Sequence, residues 1–190
     1  MAAIFFLIWL GIVLYLRRKK RASLVYVLFF TAFYVYLFKV LDYTLFQYQT
    51  LLLLQYVMPG LMLQGYAAGE ALNLIPLATL GAGDLHTSLL NILLFVPFGF
   101  GLPFVVTVRL ARVVLAGALV SVIIESLQLS TGLMAGITFR VADINDVLFN
   151  TTGTAIGCAL FVGFMHVFRR VTSGRKLLEH PILRYIAERP

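Results

Sequence analysis

Five long apolar segments decide what this chain can fold into. They lie near residues 1–16, 23–46, 87–108, 112–130 and 146–168, each close to the roughly 17–25 residues that a helix needs to cross a bilayer. Backbone N–H and C=O groups in hydrocarbon must be satisfied within the segment, which leaves helices as the solution for apolar runs of this length. The composition agrees: 61% of residues are hydrophobic and only 12% charged, where a soluble domain carries about one quarter charged. The expected fold is an all-α polytopic integral membrane bundle of about five transmembrane helices. It divides into an N-terminal span with a basic turn (1–22), a transmembrane core (23–168) and a basic tail (169–190). The single cysteine, Cys158, lies inside an apolar segment, so neither a disulfide nor a cysteine-rich metal site is available to the chain.

The net charge of +7 raises the question of nucleic acid, but the distribution of the charge argues against it. The basic residues stand in short runs beside apolar segments, the pattern of an inner membrane face. With five helices and the N-terminus outside, 13 of the 15 lysines and arginines fall on one side. Lys39 and Arg140 are the exceptions. Asp42, Glu70, Asp84, Glu125, Asp143 and Asp146 fall toward the other side. This predicts a plasma-membrane protein with an outer N-terminus and a cytoplasmic C-terminus. The first segment does not read as a cleaved signal peptide, because its basic run, Arg17 to Arg21, follows it. The 47–86 connection is long yet apolar, and Pro59-Gly60 and Pro76 punctuate it. It is expected to lie in the outer interface or to re-enter the membrane. A sixth short span broken at Pro59 and Gly60 is the alternative.

Polar groups from four segments converge on one predicted depth. Ser121, Glu125 and Gln128 share a helical face of the fourth segment, which puts a carboxylate inside the membrane. Asn91 opens the third segment, and Pro97 and Pro103 are expected to bend that helix and free carbonyls. Lys39 and Asp42 end the second segment. Arg140, Asp143, Asp146 and Asn150 head the fifth, at i, i+3, i+6 and i+10 if that stretch is helical. Charged groups near a bilayer interior are costly, pair with one another and mark function. The expectation is an outer polar pocket with Glu125, Arg140, Asp143 and Asp146 at its centre. Asn91, Gln128, Asn150, Lys39 and Ser121 would bind a ligand around it. The packing alternative reads Arg140 as a partner of Asp143 or Glu125, and Asn91, Gln128 and Asn150 as interhelical hydrogen bonds. It reads Lys39 and Asp42 as a snorkelling surface pair, and Gly153 and Gly157 as a small-xxx-small contact.

Three ordered blocks carry a resemblance. They are Asn91-Ile-Leu-Leu-Phe-Val-Pro97-Phe-Gly99, Ser121-Val-Ile-Ile-Glu125-Ser-Leu-Gln128, and Arg140-Val-Ala-Asp143-Ile-Asn-Asp146-Val-Leu-Phe-Asn150-Thr-Thr-Gly153-Thr-Ala-Ile-Gly157. Asn73-Leu-Ile-Pro76 fits upstream of them. Together they resemble the VanZ-like family of bacterial membrane proteins, over about residues 73–160. The resemblance implies a cell-envelope role and an association with resistance to teicoplanin and related lipoglycopeptides. It leaves the chemistry open.

Two classes of function follow from the polar constellation. One is recognition of a membrane lipid, a lipid-linked cell-wall precursor or the lipoglycopeptide itself. An acidic pocket suits an amine- or sugar-bearing head group, and a divalent cation (Mg2+ or Ca2+) at Asp143 and Asp146 would recruit a phosphate. The other is a membrane hydrolase or transferase acting on a lipid-linked substrate, with the carboxylates as acid and base and Arg140 as a clamp. A transporter is a third reading, disfavoured by the lack of an internal repeat.

Overall fold

The computed structural model describes residues 2–46, 66–67, 72–77, 82–135, 137–138, 141–173 and 179–189. Helix α1 (Ala2–Arg18) is followed by α2 (Leu24–Leu41), which continues into a π-helical turn at Asp42–Phe46. Then come α3 (Ala82–Val105), α4 (Leu110–Ala135), α5 (Ile144–Thr172) and a short α6 (Pro181–Ala187). Among the described residues four stretches are long and apolar enough to cross a membrane: Leu24–Leu45, His86–Val105, Leu110–Thr131 and Ile144–Thr172. Helix α1, at 17 residues, is a shorter apolar companion. It buries none of its residues and leans on α2 through two hydrogen bonds, from Trp9 Nε1 to Thr31 Oγ1 (3.0 Å) and from Tyr34 Oη to the Phe5 carbonyl (2.8 Å).

The burial pattern is that of a bundle in lipid. Leucines and valines such as Leu93, Leu115, Leu119, Leu160 and Val167 are exposed, while Asn91, Ser121, Glu125, Asp146 and Asn150 are buried. In water this arrangement would present large apolar patches to solvent. In a bilayer it puts each group where its solvation is cheapest. The chain is an all-α integral membrane protein.

The axis of the bundle is the contact between α3 and α5. A Cβ on Gly153 would lie 2.2 Å from the Ile92 carbonyl oxygen, and one on Gly157 would lie 2.1 Å from that of Val96. From the other side, a Cβ on Gly99 would lie 2.0 Å from the Thr154 carbonyl oxygen. The two backbones therefore touch along two turns, which only glycine permits. This is the close packing that membrane helices use when apolar burial cannot drive association. Thr154, fully buried, also sits against Gly117 of α4, so three helices meet at one side chain. Pro103 lacks the N–H that would bond the Gly99 carbonyl. The Cys158 thiol points at that carbonyl instead, at 3.6 Å.

One end of the bundle is aromatic. Phe104 packs on Phe29, Phe100 and Phe161 with ring centroids 5.1–5.5 Å apart. Here α6 folds back onto the core. Tyr185 stacks on Phe29 at 5.0 Å and donates its hydroxyl to the Phe104 carbonyl, one of the orphan carbonyls at the end of α3. Burial raises the Tyr185 pKa above its ordinary value, so the phenol keeps its proton. The basic tail is thus partly a docked helix.

At the other end the connections meet as two short bridges. Tyr66–Ala67 (β1) pairs antiparallel with Ile137–Thr138 (β3). Leu72–Asn73 (β2) pairs in parallel with Ala142–Asp143 (β4). The 47–86 connection is therefore tied to the 131–145 connection, which the sequence pattern does not show. Residues 47–65, with the proposed break at Pro59 and Gly60, lie outside the described residues.

Replacing Gly157 by alanine forces α3 and α5 apart at backbone level. The expected cost is about 1–3 kcal/mol, the usual penalty of overpacking. Gly163, whose added Cβ meets nothing within 4 Å, is the control: alanine there leaves unfolding in detergent unchanged.

Candidate functional site

The start of α5 gathers the polar groups. The helix begins at Ile144, and Asp143 is its N-cap, in extended conformation at φ −119° and ψ 127°. The condition for a shared helix face is thus met only from Ile144 onward, since Asp143 stands on β4. Its Oδ1 accepts from the Asn145 backbone N–H at 2.7 Å and from Asn73 Nδ2 at 3.0 Å. The Asp143 backbone N–H donates in turn to Glu125 Oε2 at 3.2 Å. Glu125 rises from α4 on the face it shares with Ser121 and Gln128, and all three are buried. The face read from their spacing is the one that packs inward.

Asp146 occupies the first turn of α5 and accepts from Asn91 Nδ2 of α3 at 2.5 Å. One turn deeper, Asn150 Nδ2 donates to Ser121 Oγ of α4 at 2.8 Å. Asp143, Asp146 and Asn150 thus fasten β2, α3 and α4 to the same helix end. Gln128 reaches the other way: its Nε2 donates to the Thr44 carbonyl at 2.8 Å. That carbonyl is presented by the π-turn, whose Thr44 hydroxyl bonds back to Val40 at 2.7 Å.

Asp143 and Asp146 both lie at the positive end of the α5 macrodipole, which favours anions there. Their charges are met by amide donors and by this helix end. The excess negative charge read from the sequence is smaller in effect than a bare count of acids suggests. Two acceptors are left over. Gln128 Oε1 and Asn150 Oδ1 are buried with no hydrogen-bond partner among the described residues. An unpaired buried amide oxygen costs about 1–3 kcal/mol.

Several expected members stand elsewhere. Arg140 lies outside the described residues. Lys39 pairs with Asp42 at 3.3 Å on the surface, its side chain 68% exposed; this is a snorkelling pair at the end of α2. The described residues bring together no group of three carboxylate, imidazole or thiol side chains able to hold a metal. His86, His166 and His180 are exposed.

Three contributors were not singled out as site residues in the sequence. Asn73 bonds both Asp143 and, through Oδ1, the Ile75 N–H at 3.1 Å. The turn it makes before Pro76 is legible, since asparagine forms such turns with its own backbone. Its pairing with Asp143 across 70 residues is not. Asn145 accepts from the Leu77 N–H at 2.7 Å and steadies a residue at φ 62°. Thr44 is visible only once the π-turn is seen.

A polar, carboxylate-bearing cluster at one end of a lipid-embedded bundle defines the class: an integral membrane protein with a polar cluster built between its helices. The model of the VanZ/LLP1 family matches residues 44–168, well over half of the chain. The chain belongs to the VanZ/LLP1 family. Every polar contact described for Glu125, Asp146 and Asn150 falls within the matched span, and Lys39 falls before it. No curated protein and no solved structure matches the chain.

Asn91→Leu removes the amide donor from a buried carboxylate. The expected loss is about 1–3 kcal/mol of stability, read as a lower melting temperature in detergent. Lys39→Leu, at the exposed pair, changes the melting temperature little.

Proposed function

We propose that this cluster opens toward the outer leaflet and recognises the polar head of a lipid or lipid-linked envelope component, without transforming it. The carrying observation is the pair of buried amide oxygens, Gln128 Oε1 and Asn150 Oδ1, that no described donor reaches. They lie on the same helix faces as Glu125 and Asp146. The cluster is therefore rich in acceptors, and its complement is a ligand rich in donors: an ammonium group or the hydroxyls of a sugar. Ordered water meets the same need in an empty site, and a head group would replace it.

The orientation rests on charge. Arg109 on the α3–α4 connection and Arg169 and Arg170 at the end of α5 share the end opposite the acids. Positive charge of this kind stays on the cytoplasmic side. That puts the acidic cluster outside, the N-terminus outside and the C-terminus inside in a five-span topology. The VanZ-like resemblance adds the phenotype: the head group is one whose occupancy lowers susceptibility to teicoplanin-type lipoglycopeptides.

The test compares cells carrying wild type, empty vector, Glu125→Gln or Asn150→Leu at matched membrane abundance. Lipoglycopeptide susceptibility and the composition of envelope lipids and wall polymers are read together. The expected result is tolerance with wild type, its loss in both variants, and an unaltered envelope in all four. Full tolerance in both variants would sink the assignment of the cluster. A lipid or polymer that changes only with wild type would replace recognition by catalysis.

A further inference from the structure

The opposite end of the bundle carries a cavity that the head-group reading does not use. It is a groove of about 940 Å³ between the α3–α4 connection and the C-terminal half of α5, at the upper end of the 300–1,000 Å³ typical of small-molecule sites. Its composition changes along its length. Phe161, Val162 and Met165 line the part deeper in the membrane, and His166, Arg169 and Arg170 line the part near the end of α5. Arg109 faces them from the α3–α4 connection. Among the described residues no carboxylate lines the groove.

Spacing explains the gradient. Residues 162, 166, 169, 170 and 173 lie on one face of α5. At 1.5 Å per residue the floor from Phe161 to Ser173 runs about 18 Å along the membrane normal. One end of this face is apolar at acyl-chain depth, and the other is cationic at head-group depth. The Arg169 guanidinium is already anchored, donating Nη2 to the Arg189 carbonyl at 2.6 Å. That bond links the groove wall to the segment after α6. The side chains of Arg109 and Arg170 have no described partner and are exposed.

We infer that this groove binds an anionic phospholipid, its phosphate between Arg109, Arg169 and Arg170 and one acyl chain against Phe161 and Met165. Charge complementarity commits the groove to this occupant: three arginines with no acid among the described lining residues select a negative head, and the apolar floor selects a lipid over a soluble anion. Its leaflet is the one at the basic end, the inner leaflet under the topology proposed above. The site does not depend on what the acidic cluster recognises. Arg169 connects its occupancy to the docked C-terminal helix, so a bound lipid holds that helix in place.

The experiment uses the full-length protein purified in detergent and given phosphatidylglycerol, phosphatidylcholine or inorganic phosphate. Binding is read by native mass spectrometry and by the shift in melting temperature. Phosphatidylglycerol is expected to bind and stabilise the wild type, and the other two are not. Arg109→Gln with Arg170→Gln is expected to weaken phosphatidylglycerol binding at least about tenfold, since each removes a basic group from the head-group layer. Val162→Trp fills the floor without changing charge and is expected to weaken it as well. Arg17→Gln with Lys19→Gln, on a basic run outside the groove, is expected to leave it intact. Equal binding of phosphatidylcholine, an equal shift with phosphate alone, or equal loss in the Arg17/Lys19 variant would overturn the site. So would undiminished affinity in both groove variants.

Discussion

The bundle depends on backbone contact between α3 and α5. Gly99, Gly153 and Gly157 remove side chains where the two helices cross, and the carbonyls of Ile92, Val96 and Thr154 occupy the space. Apolar burial cannot supply this association in lipid, because the acyl chains are as apolar as the leucines they touch. Close packing and polar contacts supply it instead. The contact also fixes geometry. With α3 and α5 locked at Gly153, Asn91 is level with Asp146, and their hydrogen bond follows from the same register. Thr154, held between Gly99 and Gly117, brings α4 to the same level and sets Ser121 opposite Asn150.

The two ends of this core are built differently, and the difference follows from helix direction. Helix α5 begins at the acidic end, so its positive terminus faces Asp143 and Asp146. It finishes at the other end, where its last turn carries Arg169 and Arg170, the sign its negative terminus favours. The macrodipole and the side chains agree at both ends. Polarity is concentrated at these two ends. Between them lie the glycine crossing and the aromatic cluster around Phe104.

Much of this was legible in the chain. Ser121, Glu125 and Gln128 were read as one face, and they are buried together because helical spacing fixes which side chains align. Gly153 and Gly157 were read as a packing pair, and they lie where α3 crosses α5. Pro103 was expected to free a carbonyl, and the Gly99 carbonyl receives the Cys158 thiol. That the helical spacing stops short of Asp143, which caps the helix, has an equally plain cause. A run of residues at i, i+3 and i+6 suits a helix, but aspartate at the first of those positions also caps one. Periodicity does not distinguish an N-cap from the first turn. Lys39 and Asp42, three residues apart at the end of α2, form the snorkelling surface pair that their spacing suggests, and that pairing keeps Lys39 away from the cluster.

The amino-acid sequence by itself determined that this chain is a membrane bundle, which faces of its helices turn inward, and that it carries the ordered motifs of its family. Those properties are local: they depend on apolar length and on residue spacing within one helix. Only the tertiary structure decided that Asn73 would meet Asp143, that Gln128 would reach the π-turn at Thr44, and that Arg109 would face Arg169 and Arg170 across a groove. Each of these joins residues far apart in the chain. Their meeting is set by how closely glycine lets α3 and α5 approach, and no periodicity within a single segment encodes that distance.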